Sequence, residues 1–299
     1  MDRYVRATGD VRFVGRRLLD VLMDIVDYYV QGTQFHILMD QDGLITTEGE
    51  ELPLTWMDAR VEGHPVTRRA GKAVEVAALW HHALMTMADL GERFRLRLRR
   101  QYARLARLVR ANAVRLLWNP DRGGFFDVVG VQWPPREEVV PRPSSQRPDE
   151  AVRPNQLIAA GLPYPLVARP QARQIVDLVG RELLTRAGLR SLSPGHPDYR
   201  GQWTGTQGER EMTRHQGCAW PWLFGMYANA YVLAYGPGSA VTEHLRGWIL
   251  GFRDRWEGGW MVPELSSGDE PHQAGGSIVH ATAVAELLRV LAEHELTSL

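Results

Sequence analysis

Apolar residues recur at helical spacing along most of this chain, and the helices they mark are separated by long loops rich in aromatic residues, glycine and proline. Phe13, Leu18, Leu22, Ile25, Val26 and Tyr29 set the pattern over residues 11–30, as one face of a 3.6-residue repeat does. The same signal predicts helices over 73–90, over 92–118 with an arginine-rich solvated face, and near 155–162, 170–185, 217–235, 239–256 and 277–294. Pro170 and Ser239 stand where helix starts tolerate or favour them. Strand signals are short: residues 35–39 and 44–46 around a turn at Asp42-Gly43, and an extended piece at 123–129. Residues 132–150, with Pro134-Pro135 and Pro141-Arg142-Pro143, read as an irregular excursion too short to link domains. The expectation is one all-α domain over 1–299. Loops as long as 189–216 are unusual in a plain bundle and tend to be functional. Gathered at one end of a ring of helix pairs, they would line a shared pocket, the layout of an (α/α) toroid.

Composition narrows the function. With 35 basic and 35 acidic residues the formal net charge is zero, which argues against a general polyanion binder such as a nucleic-acid-binding protein. The single cysteine, Cys218, excludes an intrachain disulfide framework and fits a reducing compartment. The start, MDRYVRATGD, has no apolar signal core, and no apolar run is long enough to span a membrane. The expected location is the cytoplasm. Ten tryptophans are many for 299 residues; their flat faces suit sugar C–H surfaces, and large helical cores also use them. Lys72 is the only lysine in a chain that otherwise uses arginine; either its position needs a compact ammonium or it survives by chance.

The segment Thr55-Trp56-Met57-Asp58-Ala59-Arg60 places a carboxyl between an aromatic wall, which favours the protonated acid, and a cation, which opposes it. A second isolated acid, Glu264, lies in Met261-Val262-Pro263-Glu264-Leu265. Glycosidic hydrolysis uses two carboxyl groups, often from distant parts of a chain. Asn155 and Gln156 form an amide pair at a helix mouth, suited to sugar hydroxyls or to capping that helix. His215-Gln216-Gly217-Cys218-Ala219-Trp220-Pro221-Trp222 adds an imidazole, an amide and two indoles, with a glycine that permits close approach. Tyr199–Trp203 reads as loop lining. Glu209 and Glu211 read as solvated or salt-bridged carboxylates, and Glu75 as a first-turn acid favoured by the helix dipole. His81-His82 are adjacent and cannot share a helix face as zinc ligands do, and no phosphate loop or dinucleotide fingerprint is present. No metal and no cofactor is expected.

These segments, in this order, resemble the C-terminal glucosidase domain of glycogen debranching enzymes, the amylo-α-1,6-glucosidase family. The matching pieces are LTWMDAR at 54–60, GKAVEVAALWHHAL at 71–84, FFDVV at 125–129, RPNQLIAAGLP at 153–163, LLTRAGLRSLSPGHPDYRGQW at 183–203, HQGCAWPWL at 215–223 and VPEL at 262–265. The resemblance implies an (α/α)6 toroid of the six-hairpin glycosidase type. It implies inverting hydrolysis of α-1,6-linked glucose at the branch points of glycogen or limit dextrin. It places the general acid on Asp58 and the general base on Glu264, with carboxyls roughly 6.5–9.5 Å apart. Burial of Asp58 against Trp56 is expected to raise its pKa. Trp56, Arg60, Lys72, Asn155, Gln156, His215, Gln216 and Trp220 become candidate pocket or support residues.

Two departures accompany the resemblance. His280-Ala281-Thr282-Ala283 stands where relatives carry a Gln-Ala-Trp-Ser type of helix start. The chain also opens at a point well inside the family domain, so about eight of twelve helices are expected, in an incomplete toroid, with a separate chain as a partner supplying the rest. The substrate partner implied is glycogen or another branched α-glucan. The alternatives are a glucoamylase- or trehalase-like inverting glycosidase, a non-catalytic glycan-binding remnant, and a structural toroid acting through protein contacts, against which the loop tryptophans and amides argue.

Overall fold

The computed structural model describes residues 1–47, 49, 51–130, 148–255 and 261–296. The proline-rich part of the expected excursion, 132–147, lies outside the described residues. Helices dominate. In chain order they are α1 (Asp2–Thr8), α2 (Val11–Arg17), α3 (Leu19–Gln31), α4 (Val74–Arg93), α5 (Arg99–Leu117), α6 (Gln156–Gly161), α7 (Arg169–Glu182), α8 (Gln207–Arg214), α9 (Phe224–Tyr235), α10 (Ser239–Arg255) and α11 (Ala281–Glu293).

Eleven helices among the described residues exceed the eight expected, for three local reasons. The predicted 11–30 helix breaks at Leu18 into α2 and α3. The short α1 precedes it. Within the expected long loop, α8 is nucleated by a capping box in which Thr206 Oγ1 accepts from the Glu209 backbone and Glu209 reaches back to the Thr206 N–H. Conversely, the segment from Gly217 is a turn leading into a strand at Ala219–Trp220 rather than a helix; α9 begins only after a 3-10 turn at Pro221–Leu223.

The helices pair and stack. α4 lies along α5 and also against α6; α6 and α7 both pack on α9, and α11 follows α9. One hydrophobic cluster runs from Val14 to Leu296, with Leu84, Leu157, Ile175 and Phe224 among its fully buried side chains. The first and last helices meet: Arg3 on α1 lies 3.7 Å from Glu286 and 4.0 Å from Glu293 on α11. Apolar side chains remain at the surface on α3 (Val21, Ile25, Tyr28) and around α11 (Ile278, Leu288).

Short strands organise the loops. β1 (Leu38–Met39) and β2 (Ile45–Thr46) form the expected hairpin, with Gly43 at φ 84° in its turn. β3 (Arg60–Val61) and β4 (His64–Pro65) form a second, just after Asp58. β5 (Lys72–Ala73) pairs with β8 (Val128–Val129), and β6 (Trp118–Asn119) with β7 (Gly124–Phe125). An antiparallel sheet, ordered β13-β12-β11-β10-β9, joins β9 (Leu184–Thr185), β10 (Gly188–Arg190), β11 (Ala219–Trp220), β12 (Leu265–Ser266) and β13 (Ala274–Gly275). Its Ala219↔Ser266 pairing sets Glu264, the residue before β12, beside the Trp220 end of β11. Packing of α8 on β3 brings Asp58 to the same place. Among the described residues no helix is long and apolar enough to cross a membrane.

Candidate functional site

The two carboxyls singled out in the sequence are reached from consecutive residues. α8 ends at Arg214, whose Nη2 is bonded to Glu264 Oε1. The next residue, His215, places Nε2 3.5 Å from Asp58 Oδ1. Adjacent Cα atoms are about 3.8 Å apart, so two acids far apart in the chain are anchored on neighbouring residues.

Glu264 is held on both oxygens. Oε1 meets Arg214, and Oε2 accepts from the Ser277 backbone N–H at 3.0 Å. Gly276, at φ 69°, makes room: a Cβ there would stand 2.4 Å from Glu264 Oε2. The carboxyl is 17% exposed. Arg214 also lies 3.6 Å from Glu211 and sits over the rings of Trp203 and Trp220, its Cζ 6.0 and 5.6 Å from their centroids. A guanidinium held by two carboxylates and two indoles is well fixed.

Asp58 contradicts one expectation. Its side chain is 68% exposed, not buried against Trp56. The His215 contact outweighs the partial burial that opposes it and holds Asp58 below the ordinary aspartate range. At neutral pH it is therefore a carboxylate. Arg60 does not supply the neighbouring cation; it is exposed and donates to the Gly63 carbonyl across its own hairpin at 3.2 Å.

An aromatic corner stands beside Asp58. Trp56 meets the rings of His215, Trp220 and Trp222 edge-on, at centroid distances of 5.0, 5.4 and 5.3 Å. Trp220 stacks on His215 at 5.2 Å with 7° between planes and donates its indole N–H to the Arg214 carbonyl. Beneath the corner runs a buried polar chain. Trp56 Nε1 donates to Asn155 Oδ1 at 2.8 Å, and Asn155 Nδ2 donates to Asp127 Oδ1 at 2.7 Å. Asp127 then accepts from Arg69 Nε at 2.7 Å, and Arg69 also pairs with Glu75. Burial alone would lower the Arg69 pKa, but Asp127 and Glu75 hold it above its ordinary value.

Several candidate residues therefore have their polar atoms engaged inside the protein. Asn155 bridges Trp56 and Asp127 and does not cap α6. Gln156 accepts from the Phe125 N–H and donates to the Arg153 carbonyl. Gln216 Oε1 accepts from Arg153, which also donates to the His215 carbonyl at 2.7 Å. Lys72 occupies a niche for a compact cation, between Asp40 (2.7 Å) and Asp42 on the first hairpin. Glu75 is more than a first-turn acid, being the buried partner of Arg69. Glu209 caps α8, and burial pushes the Cys218 thiol up to about 12. Gly217 meets the expectation of close approach: at φ 154°, a Cβ would lie 2.4 Å from the Arg200 carbonyl oxygen.

Sequence reasoning missed Arg214, Asp127 and Arg69. Arg214 carried a weak signal, directly before the His215 motif and three residues after Glu211. Asp127 lies in the matching segment 125–129 but showed nothing of its role, and Arg69 carried no signal. Among the described residues no cluster of His, Cys, Asp and Glu is arranged to hold a metal ion.

The fold and the sequence both have counterparts among known proteins. A family model described as amylo-alpha-1,6-glucosidase matches residues 1–289. None of the curated proteins matches. Among solved structures, the GH63 mannosylglycerate hydrolase from Thermus thermophilus in complex with glucose is similar at TM-score 0.63 and 13% identity, over 97% of this chain and 73% of that one. The same hydrolase with Tris and D-glycerate aligns at TM-score 0.51 and 13% identity, over 74% and 46%. An uncharacterized conserved protein from Thermus thermophilus aligns at 0.51 and 14%, over 74% and 46%. This chain thus spans about half the length of those last two structures. At these identities the likeness shows a shared helix-rich fold and nothing beyond it.

Proposed function

The chain belongs to the amylo-alpha-1,6-glucosidase family, and on that premise we propose that it is an inverting glycoside hydrolase releasing glucose from α-1,6 branch points of glycogen or limit dextrin. The observation that carries this reading is the convergence of Asp58 and Glu264 on the consecutive residues Arg214 and His215. Supporting it are the family match, the helix-rich fold and the tryptophan corner beside Asp58. The proposed architecture is one (α/α)6-type domain over 1–299. The proposed location is the cytoplasm.

In the proposed reaction a glucosyl unit stacks against Trp56 and Trp222, with the buried Trp220 backing the corner. Asp58 gives its proton to the glycosidic oxygen as the C1–O bond breaks. Glu264, ion-paired with Arg214, takes a proton from the water that attacks C1 from the opposite face, so the product emerges with inverted configuration. Asp58 must first be protonated. A sugar over Trp56 strips water from its exposed carboxyl, and desolvation already opposes ionisation there. His215 and Trp56 border the acid. Arg60, Lys72, Asn155, Gln156 and Gln216 support the walls rather than grip the sugar.

A second reading rests on one observation. The exposure of Asp58 favours a glycan-binding remnant that keeps the aromatic corner without a working acid. Limit dextrin decides between them: glucose release supports hydrolysis, whereas binding of maltooligosaccharide with no release supports the remnant. Release from linear α-1,4 chains in preference to α-1,6 branches would favour a glucoamylase-like specificity. A separate chain contributing further helices is also part of the proposal, supported by the exposed Val21, Ile25 and Tyr28 on α3 and Ile278 and Leu288 around α11. Such a partner would raise both thermal stability and activity when added.

A further inference from the structure

His215 is 1% exposed, yet among the described residues neither ring nitrogen has a conventional hydrogen-bond partner. The ring is nonetheless fixed. Trp220 stacks on one face, and Trp56 meets it edge-on at 83° between planes. The polar atom within reach of Nε2 is Asp58 Oδ1, at 3.5 Å. The other charged groups bearing on the ring are the guanidinium of Arg214, the preceding residue, and that of Arg153, which donates to the His215 carbonyl. Burial, aided by the two arginines and opposed by Asp58, pushes His215 below the ordinary histidine range. The imidazole is neutral and carries one proton. On Nδ1 that proton would be a buried donor without an acceptor, which costs more than an idle acceptor; it therefore sits on Nε2.

We propose that His215 is a positioning residue for Asp58, donating its neutral Nε2–H to Oδ1 and so turning Oδ2 toward the sugar as the oxygen that carries and releases the proton. This rests on the glycosidase reading above. In the step concerned, the Oδ2–H proton passes to the glycosidic oxygen, the C1–O electron pair goes to that oxygen, and Asp58 is left as a carboxylate. Negative charge thus grows on Asp58 along the reaction. A donor within reach of Oδ1 strengthens as it grows, and favours the transition state over the ground state. The penalty is a smaller protonated fraction before reaction, in keeping with the depressed Asp58. The 3.5 Å separation is long, and catalytic hydrogen bonds commonly tighten when substrate binds. Arg214 is the other charge facing Asp58, and it remains in every variant below.

Carbon-13 titration of the Asp58 carboxyl tests the proposal without turnover. Loss of one such hydrogen bond in His215→Leu raises the Asp58 midpoint by about one pH unit. His215→Gln, whose amide N–H can occupy the Nε2 position, reverses at least about half of that shift. A folded His215→Leu protein whose Asp58 midpoint moves by less than about 0.3 pH unit overturns the proposal. Nitrogen-15 spectra of the wild-type imidazole serve whether or not the leucine variant folds. Nε2 protonated and Nδ1 bare at neutral pH is the expected tautomer; a ring protonated on Nδ1 or on both nitrogens overturns it. Glucose release separates this from the underlying reading. A wild type that releases no glucose refutes the glycosidase reading, and an Asp58→Asn protein releasing it at the wild-type rate refutes Asp58 as the acid, while the titration still judges the hydrogen bond.

Discussion

Replacing Asp127 by asparagine removes one charge from the buried network beneath Trp56. Asp127 accepts from Arg69 at 2.7 and 3.0 Å and from Asn155 at 2.7 Å, with Arg153 at 3.6 Å. Asparagine has one acceptor oxygen where aspartate has two, so its amide N–H must face either Arg69 or the Asn155 amide donor. Arg69 keeps Glu75 but loses at least one charge-assisted hydrogen bond, worth roughly 1.5–3 kcal/mol. Part of its charge then stands uncompensated in the interior, where breaking a pair costs about 3–5 kcal/mol. The expected loss is about 3 kcal/mol, a large share of the roughly 5–15 kcal/mol that keeps a domain folded. Urea denaturation reads it as a lower midpoint at unchanged slope. Because Asp127 and Glu75 share Arg69, the double variant Asp127→Asn with Glu75→Gln should depart from additivity by more than about 0.5 kcal/mol. A loss under about 1 kcal/mol with additive effects would refute the view that this network supports the site.

Arg214→Met frees Glu264 from its cation and should lower kcat roughly tenfold or more with little change in KM, since the arginine acts through the base and not on the sugar; an unchanged kcat in steady-state assays would refute it. Gly217→Ala should cost more than about 1 kcal/mol in thermal or urea unfolding, because φ is 154° and the added Cβ meets the Arg200 carbonyl. Stability should fall as pH drops from about 7 to 5. Burial keeps His81, His82 and His215 neutral below the ordinary value of 6.5, so the unfolded chain binds more protons than the native one in that window. Urea midpoints that rise on acidification would contradict this.

Helix content was legible because amphipathic periodicity is local: α4, α5, α7, α10 and α11 lie where apolar spacing put them, α9 starts later than expected, and the Asp42-Gly43 turn follows from turn chemistry. The break at Leu18 and the existence of α8 were not, since tertiary packing and a capping box inside a polar loop decided them. For the site, Trp56, Asp58, His215, Trp220 and Glu264 were named from residue type and resemblance, and they do come together. What could not be read was which atoms would be engaged internally. Asn155 and Gln156 look like sugar-binding amides until Asp127 and Phe125 arrive from another segment to occupy them. Arg214 was hidden for a similar reason: its meaning depends on Glu264, brought beside it by the β11–β12 pairing.

The claim that Asp58 and Glu264 form an acid–base pair is tested most directly by the anomer of the glucose first released. Proton NMR during early hydrolysis of limit dextrin should show β-glucose from the wild type, and Asp58→Asn and Glu264→Gln should each cut the rate by at least about a hundredfold. Initial release of α-glucose, or full activity in both variants, would contradict it.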